Sequence, residues 1–153
     1  MARVLGSRHC LVCGRDNRVG MHLRFRVDGD GAEAAWASTS SFQGFPGVLH
    51  GGIVLSLCDD AMWYAAFGRG AFTMTAEASV RYRTPVRIGL PLVIRGWVTE
   101  HRGRLWTCAA ELAAAEGDTV LATAAGKFLP VPPQLLDRTC VHEYPEPERQ
   151  AAP

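Results

Sequence analysis

Residues 44–68, GFPGVLHGGIVLSLCDDAMWYAAFG, decide the fold of this chain. From residue 53 to residue 67 nearly every side chain is apolar, and a helix without a polar face is typical of a buried position. Gly68 and Gly70 follow the apolar run and are expected to end the helix. The stretch therefore predicts one long buried helix that other parts of the chain must cover.

Segments with the alternation of β-strands lie on both sides of this helix. Residues 21–28 and 32–39 precede it with a turn between them, and they predict a hairpin. Four further strands are predicted after the helix, over residues 72–83, 91–101, 104–116 and 119–129. Connections of hairpin length join antiparallel strands. The predicted fold class is therefore α+β, with one long central helix wrapped by an antiparallel sheet of about six strands.

The bulk properties indicate one ordinary globular domain. The chain has 153 residues and a formal net charge of +1, which does not suggest a nucleic-acid or membrane-surface partner. We expect an N-terminal arm over residues 1–20, a main domain over 21–130, and a C-terminal covering segment and tail over 131–153. No signal-like apolar segment opens the sequence, so a cytoplasmic location is expected.

The five cysteines are odd in number and scattered, which favours reduced thiols over a disulfide framework. Cys10 and Cys13 have the spacing of half a zinc site, but no second half is obvious, although His9, His22 and Cys140 exist. No metal site is predicted, and whether this pair binds anything stays open.

Two features of the helical stretch point to chemistry. Gly51 and Gly52 lie where a helix leaves its first backbone N–H groups without partners, which is a ready site for an anion or an oxyanion. The glycines could equally serve a tight turn. Asp59 and Asp60 are the only charges in the apolar helix, so we expect one of them to line a pocket as a base or nucleophile. The alternative is that one faces water and the other caps a neighbouring group.

The spacing of these features requires two chains. Gly51 and Asp59 are eight residues apart, which is about 12 Å along a helix. Groups that act on one carbonyl must come within about 3–3.5 Å of it. If two such helices pack antiparallel about a two-fold axis, Gly51 of one subunit meets Asp59 of the other. A homodimer is therefore expected, possibly paired further into a homotetramer.

The chain resembles the hot-dog-fold acyl-CoA thioesterases of the PaaI type over about residues 10–130. The resemblance is carried by the His50-Gly51-Gly52 triplet with an acid nine residues after the histidine. Four further stretches are similar, namely residues 10–17 (CLVCGRDN), 43–47 (QGFPG), 81–85 (RYRTP) and 122–128 (ATAAGKF). The resemblance implies hydrolysis of an acyl-CoA thioester to the free acid and coenzyme A, without a cofactor.

The resemblance also implies roles for particular residues. The backbone N–H of Gly51 would hold the thioester oxygen, and Asp59 of the partner subunit would attack the carbonyl or activate water. His50 would orient the loop, and Thr75 would position the water or the acid. Relatives often have an asparagine before the histidine, where this chain has Gly44 with Gln43 beside it. The expected substrate-binding residues are Gly52, Gln43, Asn17, Asp60 and Arg83.

Other readings remain open at this level. His50 could simply bond the loop backbone, Thr75 could be an ordinary strand residue, and the arginines at 81, 83 and 87 could be a solvated face rather than contacts to coenzyme A phosphates. A hot-dog dimer could also bind acyl-CoA or another apolar ligand without turnover. A hot-dog dehydratase would need a paired Asp/His arrangement that this sequence lacks. The acyl group is not specified.

Overall fold

The computed structural model describes residues 2–145, with the exception of the Arg138 side chain. One helix, α1 (Gly51–Gly68), packs on a single antiparallel sheet of eight strands in the order β4-β7-β6-β5-β3-β2-β1-β8. The strands are β1 (Arg3–Ser7), β2 (Phe25–Asp28), β3 (Gly31–Ala37), β4 (Thr73–Tyr82), β5 (Pro91–Arg102), β6 (Leu105–Ala114), β7 (Val120–Pro130) and β8 (Val141–Tyr144). The predicted helix-on-sheet architecture is confirmed, with eight strands rather than six.

The two additional strands lie at one edge of the sheet. β1 pairs with β2 on one side and with β8 on the other. The N-terminal arm expected over residues 1–20, in which no strand was predicted, therefore contains one over Arg3–Ser7. Both added strands are short, and their pairing joins the two ends of the chain, which local alternation does not reveal. The division into arm, domain and covering segment stays a prediction, and residues 146–153 of the expected tail lie outside the described residues.

The first predicted strand is shorter than expected. Residues 21–24 keep the alternation of buried and exposed side chains, but β2 begins only at Phe25. His22 has a φ of 56°, a left-handed conformation that interrupts an extended strand. The backbone N–H groups of Met21 and Leu23 instead bond the carbonyl oxygens of Leu11 and Val12. Residues 21–24 therefore alternate between buried and exposed as predicted, but their backbone bonds a neighbouring loop rather than a strand of the sheet.

The helix has one fully covered side. The buried residues on it, such as Leu57, Ala61 and Ala65, belong to the core with the inner face of the sheet. N-terminal residues Val12 and Cys13 join the same core, so this segment covers part of the helix as well. Ile53 and Leu55 are only partly buried. One chain therefore leaves part of the apolar helix open. No helix among residues 2–145 is long and apolar enough to cross a membrane.

Candidate active site

The start of α1 is held by its own cap. His50, in an extended conformation, accepts a hydrogen bond from Gly52 N at its Nδ1 atom over 2.9 Å, and its carbonyl oxygen accepts from Ile53 N. These contacts use two of the first N–H groups of the helix. Within residues 2–145 the N–H of Gly51 donates no hydrogen bond. The sequence-based expectation of a bare amide at this helix start therefore applies to Gly51 and not to Gly52.

The loop before the helix is ordered by short backbone and side-chain bonds. The Gln43 side chain accepts from Gly47 N at 3.2 Å, and Leu49 N bonds the carbonyl oxygen of Val86. An open depression of about 320 Å³ lies beside the Gly51 amide. It is lined by Gly44, Phe45, Val48, Leu49, His50 and Gly51. Gln43 thus shapes the loop through its side-chain oxygen and does not line this depression.

Asp59 lies farther along the same helix and is oriented by β4. The Thr75 hydroxyl donates a hydrogen bond to Asp59 Oδ1 at 2.8 Å. Burial raises the pKa of the Asp59 carboxyl above its ordinary value, and the bond from Thr75 opposes that rise. No basic side chain of the described residues forms an ion pair with Asp59. The carboxylate is thus half-buried, positioned and free of a countercharge.

β4 runs antiparallel to α1 and contacts both ends of the site. Besides Thr75 at Asp59, the Tyr82 hydroxyl donates to the Gly51 carbonyl oxygen at 2.7 Å. Thr75 and Tyr82 are seven residues apart, so strict alternation would put them on opposite faces. A bulge between Thr75 and Glu77 adds one residue and brings both side chains to the helix. Tyr82 was not recognised as a site residue, although it stands in the quoted stretch 81–85.

The remaining predicted residues do not join this group within one chain. The Asn17 side chain bonds the carbonyl oxygen of His9 and the N–H of Val19, inside the N-terminal loop. The Asp60 carboxyl contacts the Cys10 thiol and is not grouped with Asp59 and Thr75. Arg83 is exposed just after β4 and has no hydrogen bond from its side chain in the described part of the chain. The structure therefore assembles Asp59 with Thr75, and Gly51 with His50 and Tyr82, as two separate halves.

Comparison with known proteins identifies similar folds and sequences. A family model described as the thioesterase superfamily matches residues 46–121. The bovine (Bos taurus) acyl-coenzyme A thioesterase THEM4 is 27% identical over 92 residues, which cover 60% of this chain and 38% of that protein. This chain therefore spans well under half of that relative.

Two solved structures extend the comparison. A crystal structure of a thioesterase superfamily protein has a TM-score of 0.74 at 29% identity, over 80% of this chain and 60% of the other. The Escherichia coli PaaI protein from the phenylacetic acid degradation operon has a TM-score of 0.63 at 20% identity, over 67% of this chain and 77% of that protein. Both likenesses agree with the fold described above.

Proposed function

Because the chain belongs to the thioesterase superfamily, we propose that it hydrolyses an acyl-coenzyme A thioester to the free acid and coenzyme A, at a site shared by two subunits. The environment of Asp59 is the observation on which the proposal depends. Asp59 is a half-buried carboxylate without a countercharge, held by the Thr75 hydroxyl, on a helix whose first N–H is unused. The bovine relative is an acyl-coenzyme A thioesterase, which supports acyl-coenzyme A as the substrate class.

The chemistry divides between an acid and an amide. The Gly51 N–H donates a hydrogen bond to the thioester oxygen and stabilises the negative charge that develops there. Asp59 removes a proton from water as the water attacks the carbonyl carbon, or attacks that carbon itself to form a mixed anhydride that water then hydrolyses. In both routes the thiolate of coenzyme A leaves and the free acid is released. His50 holds the helix start, and Thr75 holds the acid, so both act by positioning.

The two halves require a second copy of the chain. About 12 Å of helix separates Gly51 from Asp59, so one subunit cannot apply both groups to one carbonyl. β4 is an edge strand, and most of its side chains are exposed. If two β4 strands pair antiparallel with Thr75 opposite Tyr82, the Asp59 half of each subunit faces the Gly51 half of its partner. This pairing is the arrangement we propose, and further pairing into tetramers is compatible with it.

Residues outside the Asp59 and Gly51 halves of the site are proposed to recognise the substrate. Arg83 follows Tyr82 directly and carries an exposed guanidinium, the group that suits the phosphates of coenzyme A. Trp63, Phe67 and Phe72 form a partly exposed aromatic cluster beyond Asp59, which favours an apolar acyl group. Met62, on the same helix, is fully buried and does not line this aromatic cluster's exposed side.

The test is an acyl-coenzyme A panel, read as release of free thiol, on the wild type beside Asp59→Asn. We expect hydrolysis of at least one acyl class and a loss of about 10²–10⁴-fold in the variant, the range for a removed acid–base group. An unchanged rate in Asp59→Asn would refute the role of the acid. Thermal stabilisation by acyl-coenzyme A with no thiol release from the wild type would instead favour a binding module.

A further inference from the structure

Three side chains that take no part in the proposed reaction meet on the other side of α1. The ligand atoms of Cys10, Cys13 and Asp60 all lie within 4.8 Å of one another. Cys10 Sγ is 3.5 Å from Asp60 Oδ2, although the two residues are 50 positions apart. Cys13 is buried, and its Sγ is 3.2 Å from the buried Tyr64 hydroxyl. The fold thus brings the cysteine pair of the N-terminal segment to a carboxyl group of the central helix.

This cluster contains acidic groups and no countercharge. The Asp60 carboxyl accepts hydrogen bonds from the cysteine thiols, and no basic side chain of the described residues bonds it. Asp60 keeps some exposed surface as a residue, but its carboxyl is surrounded by protein. Burying a charged carboxylate without a countercharge is costly. A bound cation would remove that cost.

The loop that carries the cysteines is built to hold a thiolate. Val12 N donates to Cys10 Sγ at 3.3 Å, and Gly14 N bonds the Cys10 carbonyl oxygen at 2.9 Å. A Cβ at Gly14 would lie 2.3 Å from that carbonyl oxygen, so the tight turn requires glycine.

From this geometry we propose that Cys10, Cys13 and Asp60 bind one Zn²⁺ ion, which fastens the N-terminal segment to α1. Two thiolates and a carboxylate are ligands that zinc takes, and the fourth position is left for water or the neighbouring Tyr64 oxygen. Binding releases the thiol protons to solvent. A disulfide between the two cysteines would use the same pair, but it would leave Asp60 buried beside a neutral group, so it explains less of the cluster.

Metal binding by the full chain tests the proposal. Protein purified under reducing conditions is depleted with a chelator and titrated with Zn²⁺ alone, and separately with Co²⁺. We expect one ion per chain, thiolate-to-cobalt charge-transfer absorption, and a higher melting temperature with metal than without. Failure to bind either ion, or a Cys10–Cys13 disulfide in metal-free protein purified without reductant together with no stoichiometric zinc, would overturn the site.

Matched variants identify the ligands. Cys10→Ser and Asp60→Asn are expected to lower the affinity for Zn²⁺ at least about tenfold. Asp59→Asn, the adjacent carboxylate, and Cys108→Ala, a buried thiol of β6, should bind as the wild type does. Equal zinc binding by Cys10→Ser, or weakening by the two controls to the same degree, would refute the assignment. If a cysteine variant fails to fold, the zinc affinity of Asp60→Asn and the cobalt spectrum of the wild type test the assignment of the ligands instead. Because Asp59→Asn keeps the zinc site, this outcome is independent of the hydrolysis assay.

Discussion

The hydroxyl of Thr75 donates a hydrogen bond of 2.8 Å to the carboxylate of Asp59, and this contact joins the edge strand β4 to the central helix. Through this bond the sheet orients the side chain of Asp59. The bond also favours the charged form of a carboxyl whose pKa burial raises. Thr75 therefore orients Asp59 and opposes the effect of burial on its ionisation.

Thr75→Val should shift the acid limb of the pH–rate profile to higher pH. Without the hydrogen bond, burial alone acts on Asp59, so the pKa of the carboxyl rises further and less carboxylate is present at neutral pH. We expect about a tenfold fall in kcat/KM at neutral pH, from the worth of a bond to a charged group. Thr73→Val is the matched control, since the Thr73 hydroxyl is buried without a hydrogen-bond partner in the described part of the chain. An unshifted profile in Thr75→Val would remove the role assigned to this bond.

Asp59→Asn should raise the melting temperature at neutral pH. The folded-state pKa of Asp59 lies above its ordinary value, so ionisation costs stability above that pKa, and the cost disappears as pH falls toward the ordinary value near 4. The gain in the Asp59→Asn variant should therefore shrink on acidification, with about 2–4 °C for each kcal/mol in a domain of this size. Melting curves across pH measure it. Asp16→Asn should give the opposite sign, because Arg8 lowers the pKa of Asp16.

Gly51→Pro should lower kcat without unfolding the protein. Proline has no N–H, and the first helical position tolerates it, since this N–H has no intrahelical partner. His50 already has the extended backbone that a residue before proline prefers. We expect a loss of about 10²–10³-fold, as for a removed oxyanion donor. Gly51→Ala is the control, because it adds the same Cβ, 3.2 Å from the Tyr82 hydroxyl oxygen, and keeps the N–H. Equal losses in both variants would indicate a steric effect only.

Two inactive variants should restore activity when they form mixed dimers. A dimer of one Asp59→Asn subunit and one Gly51→Pro subunit contains one intact site and one site that lacks both groups. Random association of equal amounts gives half mixed dimers, so we expect about a quarter of the wild-type activity. Co-expression with two affinity tags and assay of the purified mixture measures it. Activity no higher than in either parent would contradict a site shared between subunits.

Ser79→Lys should weaken the dimer and the activity together. Ser79 is exposed near the middle of β4, where the proposed pairing brings two copies of the residue close to the two-fold axis. Two lysines there repel each other. Ala125→Lys is the control, since Ala125 is exposed and pairs with Ser79 across the next strand, one position in from the edge. Light scattering after gel filtration gives the mass. A stable, active dimer in Ser79→Lys would exclude this edge as the interface.

The sequence alone determined the local elements and one decisive distance. A long apolar helix with a glycine at its start and Asp59 two turns later follows from composition and from helical rise. The same rise is the reason why the proposed site takes groups from two chains. The strands β4 to β7 follow from alternation within a few residues of their true ends. These features depend on neighbours in the chain, which a periodic pattern records.

Only the tertiary structure decided which side chains meet. The bulge after Thr75 changes the phase of β4, so Thr75 and Tyr82 both reach α1 although simple alternation separates them. Cys10 and Asp60 lie together although 50 residues separate them in the chain. A periodic pattern in the sequence does not reveal a bulge, because the extra residue is defined only by the pairing of two strands. Nor does it reveal contacts between residues that are far apart in the chain. The chain therefore encodes its elements locally, but its candidate sites arise where distant elements pack.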